Sequence, residues 1–177
     1  MQPCQDGWSI MPETTSQPAQ LRGQTWVFGD NLNTDVLHPP SYYSLDPNIV
    51  RSGLFKGIDA NLQERVRAGD MIVGGHNFGC GSSRETSIRS LQLNGIAAVV
   101  ALDFARIFFR NATNHGIPCC RIVNPEELAA FRHGGEATLH LDAGFFELPD
   151  GRQVKLAPVG EFVRKVWAAG GLLGLLP

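Results

Sequence analysis

The stretch Gly74–Ser87, GGHNFGCGSSRETS, decides how this chain is read. It holds four glycines, three serines, a cysteine, an arginine and a glutamate. An apolar run, DMIVGG, precedes it. The run RETSIRSLQLNG follows, with Ile88, Leu91 and Leu93 near helical spacing and a stop at Asn94-Gly95. Strand, glycine loop and helix form a general anion-binding layout. The first N–H groups of a helix lack partners, and the helix dipole favours negative charge there. The named versions do not fit. A dinucleotide fingerprint needs a third glycine where Arg84 stands. A phosphate-binding P-loop needs a Gly-Lys-Ser/Thr end, and a nucleophile elbow needs glycine where Glu85 stands.

Two plainer readings compete. Ser82-x-x-Glu85 has the pattern of a capping box, which implies helix stability and no function. The pairs His76/Cys80 and His115/Cys119 could together hold zinc, although no Cys-x-x-Cys knuckle is present and Pro118 interrupts the second pair. For Cys119 and Cys120 the simpler expectation is strand packing, and for His115 a helix-end cation. The surroundings of Ser82 favour more than a cap. Glycines let the backbone approach a ligand closely, and two hydroxyls then stand beside a guanidinium suited to grip a carboxylate bidentately. A small polycarboxylate fits that set.

Outward from this stretch, TWVFG (25–29) reads as a strand. The segment from Gly29 to Asn48 shows no period over about twenty residues, a length that in a compact domain is often functional. DANLQERVRAGD is a short helical pattern ended by Gly69. IAAVVAL is a buried strand, and DFARIFFRNATNHG a helix with Asp103 as N-cap and Gly116 as terminator. IPCCRIV is a strand, NPEELAAFRHGG starts with an N-cap and Pro at the first helical position, and three short strands follow with a turn at Asp150-Gly151. EFVRKVWAAGG closes as a helix. The order predicts an α/β core with an antiparallel addition. Residues 1–22 read as a flexible tail, 23–170 as the domain and 171–177 as an apolar, docked C-terminal tail.

The 177 residues suffice for one domain with a real core. With 43% apolar and 18% charged residues and a net charge of -2, nothing global points to nucleic acid or to an anionic membrane. The N-terminus lacks the basic and apolar regions of a signal peptide, and no run reaches the roughly 18 apolar residues of a membrane span. Four cysteines without a disulfide framework suit a reducing cytoplasm.

GDNLNTD (29–35), NFGCGSSRE (77–85) and FARIFFRNATNHGIP (104–118), in this order and spacing, resemble the small subunit of the isopropylmalate dehydratase and homoaconitase group. That subunit is the detached swivel domain of the aconitase superfamily, and the likeness runs from about Thr25 to Leu156. It implies an α/β fold of three layers, β/β/α, as in the aconitase C-terminal domain. It implies a hydro-lyase that reversibly dehydrates a 2-hydroxy diacid together with a large subunit, as heterodimer or heterotetramer. The [4Fe-4S] cluster is expected in that large partner. No cofactor or metal is expected on this chain, whose four cysteines include no set of three or four well placed for a cluster. By the same likeness Ser82 is the catalytic base. Ser83, Arg84, Gly81 and Cys80 contact or shape the substrate site, and Thr34, Asp35, Arg110 and Asn111 support it, with an exposed helix face as the plain alternative for the last two. A glycine-rich helix start with Arg84 is the environment that a serine alkoxide needs.

Tyr42, Tyr43, Ser44 and Leu45 occupy the family's specificity loop. Ser44 stands where homoaconitase-like members tend to carry arginine, and no lysine or arginine occurs between Thr25 and Val50. An uncharged loop favours an apolar substituent, hence 3-isopropylmalate and leucine biosynthesis. The alternatives are 2,3-dimethylmalate, citraconate/methylmalate or homoaconitate, or a non-catalytic anion-binding regulatory module. Thr86 and Ser87 depart from the His and small residue that usually follow the motif.

Overall fold

The computed structural model describes residues 20–82 and 84–176. The chain runs β1 (Gln20–Val27), α1 (Thr34–Leu37), α2 (Pro47–Ser52), α3 (Leu62–Arg65), β2 (Met71–Gly74), α4 (Glu85–Leu93), β3 (Ala98–Ala101), α5 (Arg106–Asn114), β4 (Cys119–Arg121), β5 (Gly135–His140), β6 (Phe145–Glu147), β7 (Gln153–Lys155) and α6 (Glu161–Ala168). Short 3-10 segments lie at Pro40–Tyr42, Pro125–Ala130 and Leu172–Leu175.

β2 and β3 are short apolar runs buried at every position, the pattern of parallel strands covered on both faces. The seven strands form one sheet in the order β4-β3-β2-β1-β5-β6-β7. β1 pairs parallel with β2, Thr25 opposite Met71, and antiparallel with β5, Leu21 opposite Leu139. From β1 to β4 the chain steps across the sheet in one direction. Right-handed crossovers therefore place α1 to α5 on a single face. The antiparallel half, β5-β6-β7, curls round the other side. The two edge strands then meet beyond their ends: Ile122 bridges Leu156, Val123 N donates to Lys155 O at 3.0 Å and Ala157 N to Arg121 O at 2.7 Å. Two β layers and one helical layer result, as the resemblance implied.

Leu139, Phe146 and Val154 stand side by side on one buried face of the antiparallel half, Trp26 is buried on the opposite face with Arg65 of α3 over its ring, and Ile88, Leu91 and Phe108 bury the inner sides of α4 and α5. Trp26 donates its indole N–H to the buried Asp70 at 2.9 Å, and Asp70 also accepts from Gln24 N and Arg67 N. That carboxylate is thereby satisfied by three donors, which is what permits its burial.

Several expectations are revised. β1 begins at Gln20, so residues 20–22 belong to the strand and not to a tail; residues 1–19 lie outside the described residues. The segment 29–48 is not structureless: two short helices and a 3-10 turn occupy it. Asn33 Oδ1 accepts from Asp35 N, and Asp46 Oδ1 from Asn48 N with Pro47 at the first helical position. The C-terminal Leu172–Leu175 turn rests against α5 and α6, yet Leu173 is 81% exposed, so docking is partial. Among the described residues no helix is long and apolar enough to cross a membrane.

Candidate active site

The quoted stretch lies at the carboxyl ends of the parallel strands, where open α/β sheets place their ligands. It is laced to the loops after β1 and β3. Gly75 N donates to Gly29 O, His76 N to Asp30 Oδ1 at 2.7 Å, and Gly79 N to Leu32 O at 2.9 Å. On the other side Asn77 N donates to Asp103 Oδ1, Phe78 N to Asp103 O, and Ala105 N to Phe78 O. Isolated bridges Asn33–Cys80 and Phe78–Phe104 extend the parallel pairing past the strand ends. The loop is therefore an anchored extension of the sheet.

Gly79 and Gly81 have φ of +77° and +95°, the left-handed region where a side chain is strained. Space excludes one as well: a Cβ would meet Phe108 Cγ at 2.2 Å from Gly79, and Asn33 Oδ1 at 2.6 Å from Gly81. Between these points Cys80 is half-buried, its thiol on Asn31 O at 3.3 Å and its carbonyl accepting from Thr34 N at 2.9 Å. The fully buried Thr34 also sends its hydroxyl to Ser82 O at 3.1 Å. Ser82 itself is exposed, so its main chain is held while its side chain is presented. Ser83 lies outside the described residues.

The capping box is not formed. α4 starts at Glu85 with Arg84 as N-cap, and no side-chain cap is formed among the described residues. Glu85 is thus the first helical residue and cannot reach back as a third-position glutamate; its carboxylate lies 4.0 Å from His115 Nε2 at the end of α5. Ser82 falls short of the helix because its carbonyl is engaged by Thr34. Asp103 likewise does not cap α5, whose N-cap is Ala105, since its carboxylate is taken by the Gly75–Asn77 turn.

Tyr43 joins the loop between α1 and α2 to the quoted stretch. Its hydroxyl donates to Asp35 Oδ1 at 2.9 Å, and the Arg84 guanidinium carbon sits 5.6 Å over its ring. Burial pushes the Tyr43 phenol up, so it remains a donor at neutral pH. Tyr42 packs on His38, Ser44 Oγ accepts from Asp46 N at 3.0 Å, and Leu45 is 93% exposed at the loop tip.

Arg110 is exposed on α5 and lines a cavity of about 390 Å³ with Phe104, Arg106, Phe109 and Arg121. Among the described residues no bond ties it to Ser82 or Arg84. Asn111 is half-buried. The zinc grouping does not assemble: among the described residues no three metal-ligating side chains converge. Cys119 and Cys120 lie in β4, where burial pushes Cys120 up to about 12 and Cys119 well above the ordinary thiol range. Two adjacent thiols fall short of the three or four cysteines that an iron–sulfur cluster needs.

Sequence reasoning missed the pair His76–Asp103. His76 Nδ1 lies 2.6 Å from Asp103 Oδ2; the bond raises the imidazole and, with the Asn77 N–H, lowers the carboxyl. An aspartate directly after a buried strand, level with a histidine after the neighbouring strand, was the signal available.

The aconitase C-terminal domain family model matches residues 47–124. The 3-isopropylmalate dehydratase small subunit 1 of Methanopyrus kandleri is 41% identical over 88% of this chain and 92% of its own length. The 2,3-dimethylmalate dehydratase small subunit of Eubacterium barkeri is 37% identical over 89% and 96%. The crystal structure of 3-isopropylmalate dehydratase from Methanocaldococcus jannaschii superposes with a TM-score of 0.81 at 36% identity, covering 88% of this chain and 92% of that one. With strand order, anchored loop and sequence in agreement along nearly the whole length, the chain belongs to the family of 3-isopropylmalate dehydratase small subunits, built on the aconitase C-terminal domain.

Proposed function

We propose that this chain is the small subunit of a cytoplasmic hydro-lyase that interconverts 2-hydroxy diacids by reversible dehydration, with 3-isopropylmalate as preferred substrate. The observation that carries this reading is the presentation of Ser82 and Arg84 on an anchored loop at the carboxyl end of the sheet. Ser82 removes the proton from the carbon next to the leaving hydroxyl. The start of α4 and the Arg84 cation favour its anionic form electrostatically. Arg84, with Ser83, grips a substrate carboxylate. Gly81 and Cys80 keep the backbone close, while Thr34 and Asp35 hold the loop and Arg110 and Asn111 buttress it from α5. The uncharged loop Tyr42–Leu45 offers a distal carboxylate no cationic partner, which favours an apolar substituent.

The loop is open to solvent, which suits half of a site completed by another chain. The large subunit carries the iron–sulfur cluster, which supplies Lewis acidity toward the leaving hydroxyl when bound. The test is reconstitution. The purified chain alone turns over no diacid, and mixing with the large subunit yields activity, greatest on 3-isopropylmalate among isopropylmalate, dimethylmalate, citraconate and homoaconitate. Ser82→Ala abolishes turnover in the assembled enzyme; full activity of that variant would refute the base assignment.

A further inference from the structure

Among the described residues no carboxylate neutralises the Arg84 guanidinium. Arg84 has no ion pair and no side-chain hydrogen bond among the described residues, and its guanidinium lies over the face of Tyr43. The same tyrosine also engages a carboxylate: Asp35, on α1, accepts from the Tyr43 hydroxyl at 2.9 Å. We infer that Tyr43 is a positioning residue for Arg84, holding the guanidinium against its ring while its hydroxyl occupies the carboxylate that would otherwise capture it. The inference rests on the proposed role of Arg84 as carboxylate grip.

The argument is one of donor accounting. A guanidinium has five N–H donors in its plane and none on its faces. An ion pair with Asp35 would consume the bidentate edge that a substrate carboxylate needs. Contact with an aromatic face holds the cation electrostatically and leaves the in-plane donors free. Tyr43 is placed firmly enough to act this way. Its ring stacks on His38 at 5.5 Å with planes 27° apart. His38 is fully buried and bonded through Nε2 to Val50 O at 3.0 Å. Behind it Gly53 leaves no slack, since a Cβ there would meet Tyr42 Cβ at 2.4 Å and His38 Nε2 at 2.7 Å. A continuous stack thus runs from the core, through His38 and Tyr43, to Arg84.

The reconstituted enzyme and the isolated chain are both assayed with Tyr43→Leu and Tyr43→Phe. Leu removes platform and hydroxyl; Phe keeps the platform. In turnover, Tyr43→Leu raises KM about five-fold, as expected for loss of one cation–aromatic contact. Its kcat stays within about two-fold, and Tyr43→Phe falls between it and wild type. The KM factor is the same for diacids bearing isopropyl or methyl, because the shared carboxylate is what Arg84 grips. A factor that follows the substituent would overturn the inference and make Tyr43 a direct substrate contact. In the isolated chain, the Arg84 side-chain resonances are displaced by the Tyr43 ring current. Tyr43→Leu abolishes that displacement and Tyr43→Phe retains it; an unchanged Arg84 spectrum in Tyr43→Leu sinks the inference whatever the turnover. Lack of turnover by the wild-type pair with this spectrum intact refutes the carboxylate-gripping enzyme and leaves the Tyr43–Arg84 relation standing.

Discussion

The Thr34 hydroxyl donates to the main-chain oxygen of Ser82 at 3.1 Å, across 48 positions of sequence. This bond separates Ser82 from the helix that its local pattern would have it cap. It fixes the backbone from which the serine side chain projects. Thr34→Val keeps the buried volume and removes the donor, at a cost of about 1 kcal/mol. We expect kcat of the reconstituted enzyme to fall about five-fold and the melting temperature to drop by roughly 2–4 °C. Steady-state kinetics beside thermal unfolding checks both.

The glycines of the chain are not equivalent. Gly79→Ala forces a Cβ into the Phe108 ring at a φ of +77°, which we expect to destabilise the fold by about 2–4 kcal/mol. Gly29→Ala meets nothing within 4 Å and should stay within about 0.5 kcal/mol of wild type. Urea unfolding of the two variants measures the contrast; equal midpoints would mean that the loop yields freely.

His38 carries a pH dependence. Burial lowers its pKa below the usual 6.5, against a smaller opposing effect of its bond to Val50 O. Donation from Nε2 to that carbonyl leaves the buried Nδ1 without a partner among the described residues. Protonation would bury an unpaired N–H. The unfolded chain therefore binds a proton near 6.5 that the folded chain refuses, so this residue's contribution to stability is intact above about 6.5 and is lost as pH falls below it. His76, raised by its bond to Asp103, acts in the opposite sense: its contribution is present below 6.5 and lost as pH rises through the raised value. The difference in melting temperature between wild type and His38→Gln isolates the first effect. It should shrink as pH drops from 7.5 to 5.5; a constant difference would rule out a buried neutral imidazole.

The thiols should react unequally. Cys119 and Cys120 are buried and held protonated, whereas Cys80 is half-exposed. Iodoacetamide at neutral pH should modify Cys80 in the folded chain, with Cys119 and Cys120 labelled only on unfolding, as read by peptide mass spectrometry.

The sequence disclosed the parallel core well, because its strands are short all-apolar runs and its helices stop at Asn94-Gly95 and Gly116. It disclosed the 30–52 segment poorly. A one-turn helix has no period to detect; its marks are caps, and Asp46-Pro47 carries the same signal that was legible at Asn124-Pro125. The two misread caps, Ser82 and Asp103, share one cause. Both satisfy a local rule, and both are diverted by partners brought alongside only by the sheet, Thr34 for one and the Gly75–Asn77 turn for the other. The Tyr43–Asp35–Arg84 arrangement was hidden for the same reason.

The meeting of Ile122 with Leu156 bears on how such a chain survives before assembly. Open strand edges are templates for unwanted pairing between molecules. Here the margins of β4 and β7 converge and share main-chain bonds just beyond their ends, so each helps to sheathe the other. A protein that must wait for a companion can then leave its loops adhesive while its ladder offers strangers little to grasp.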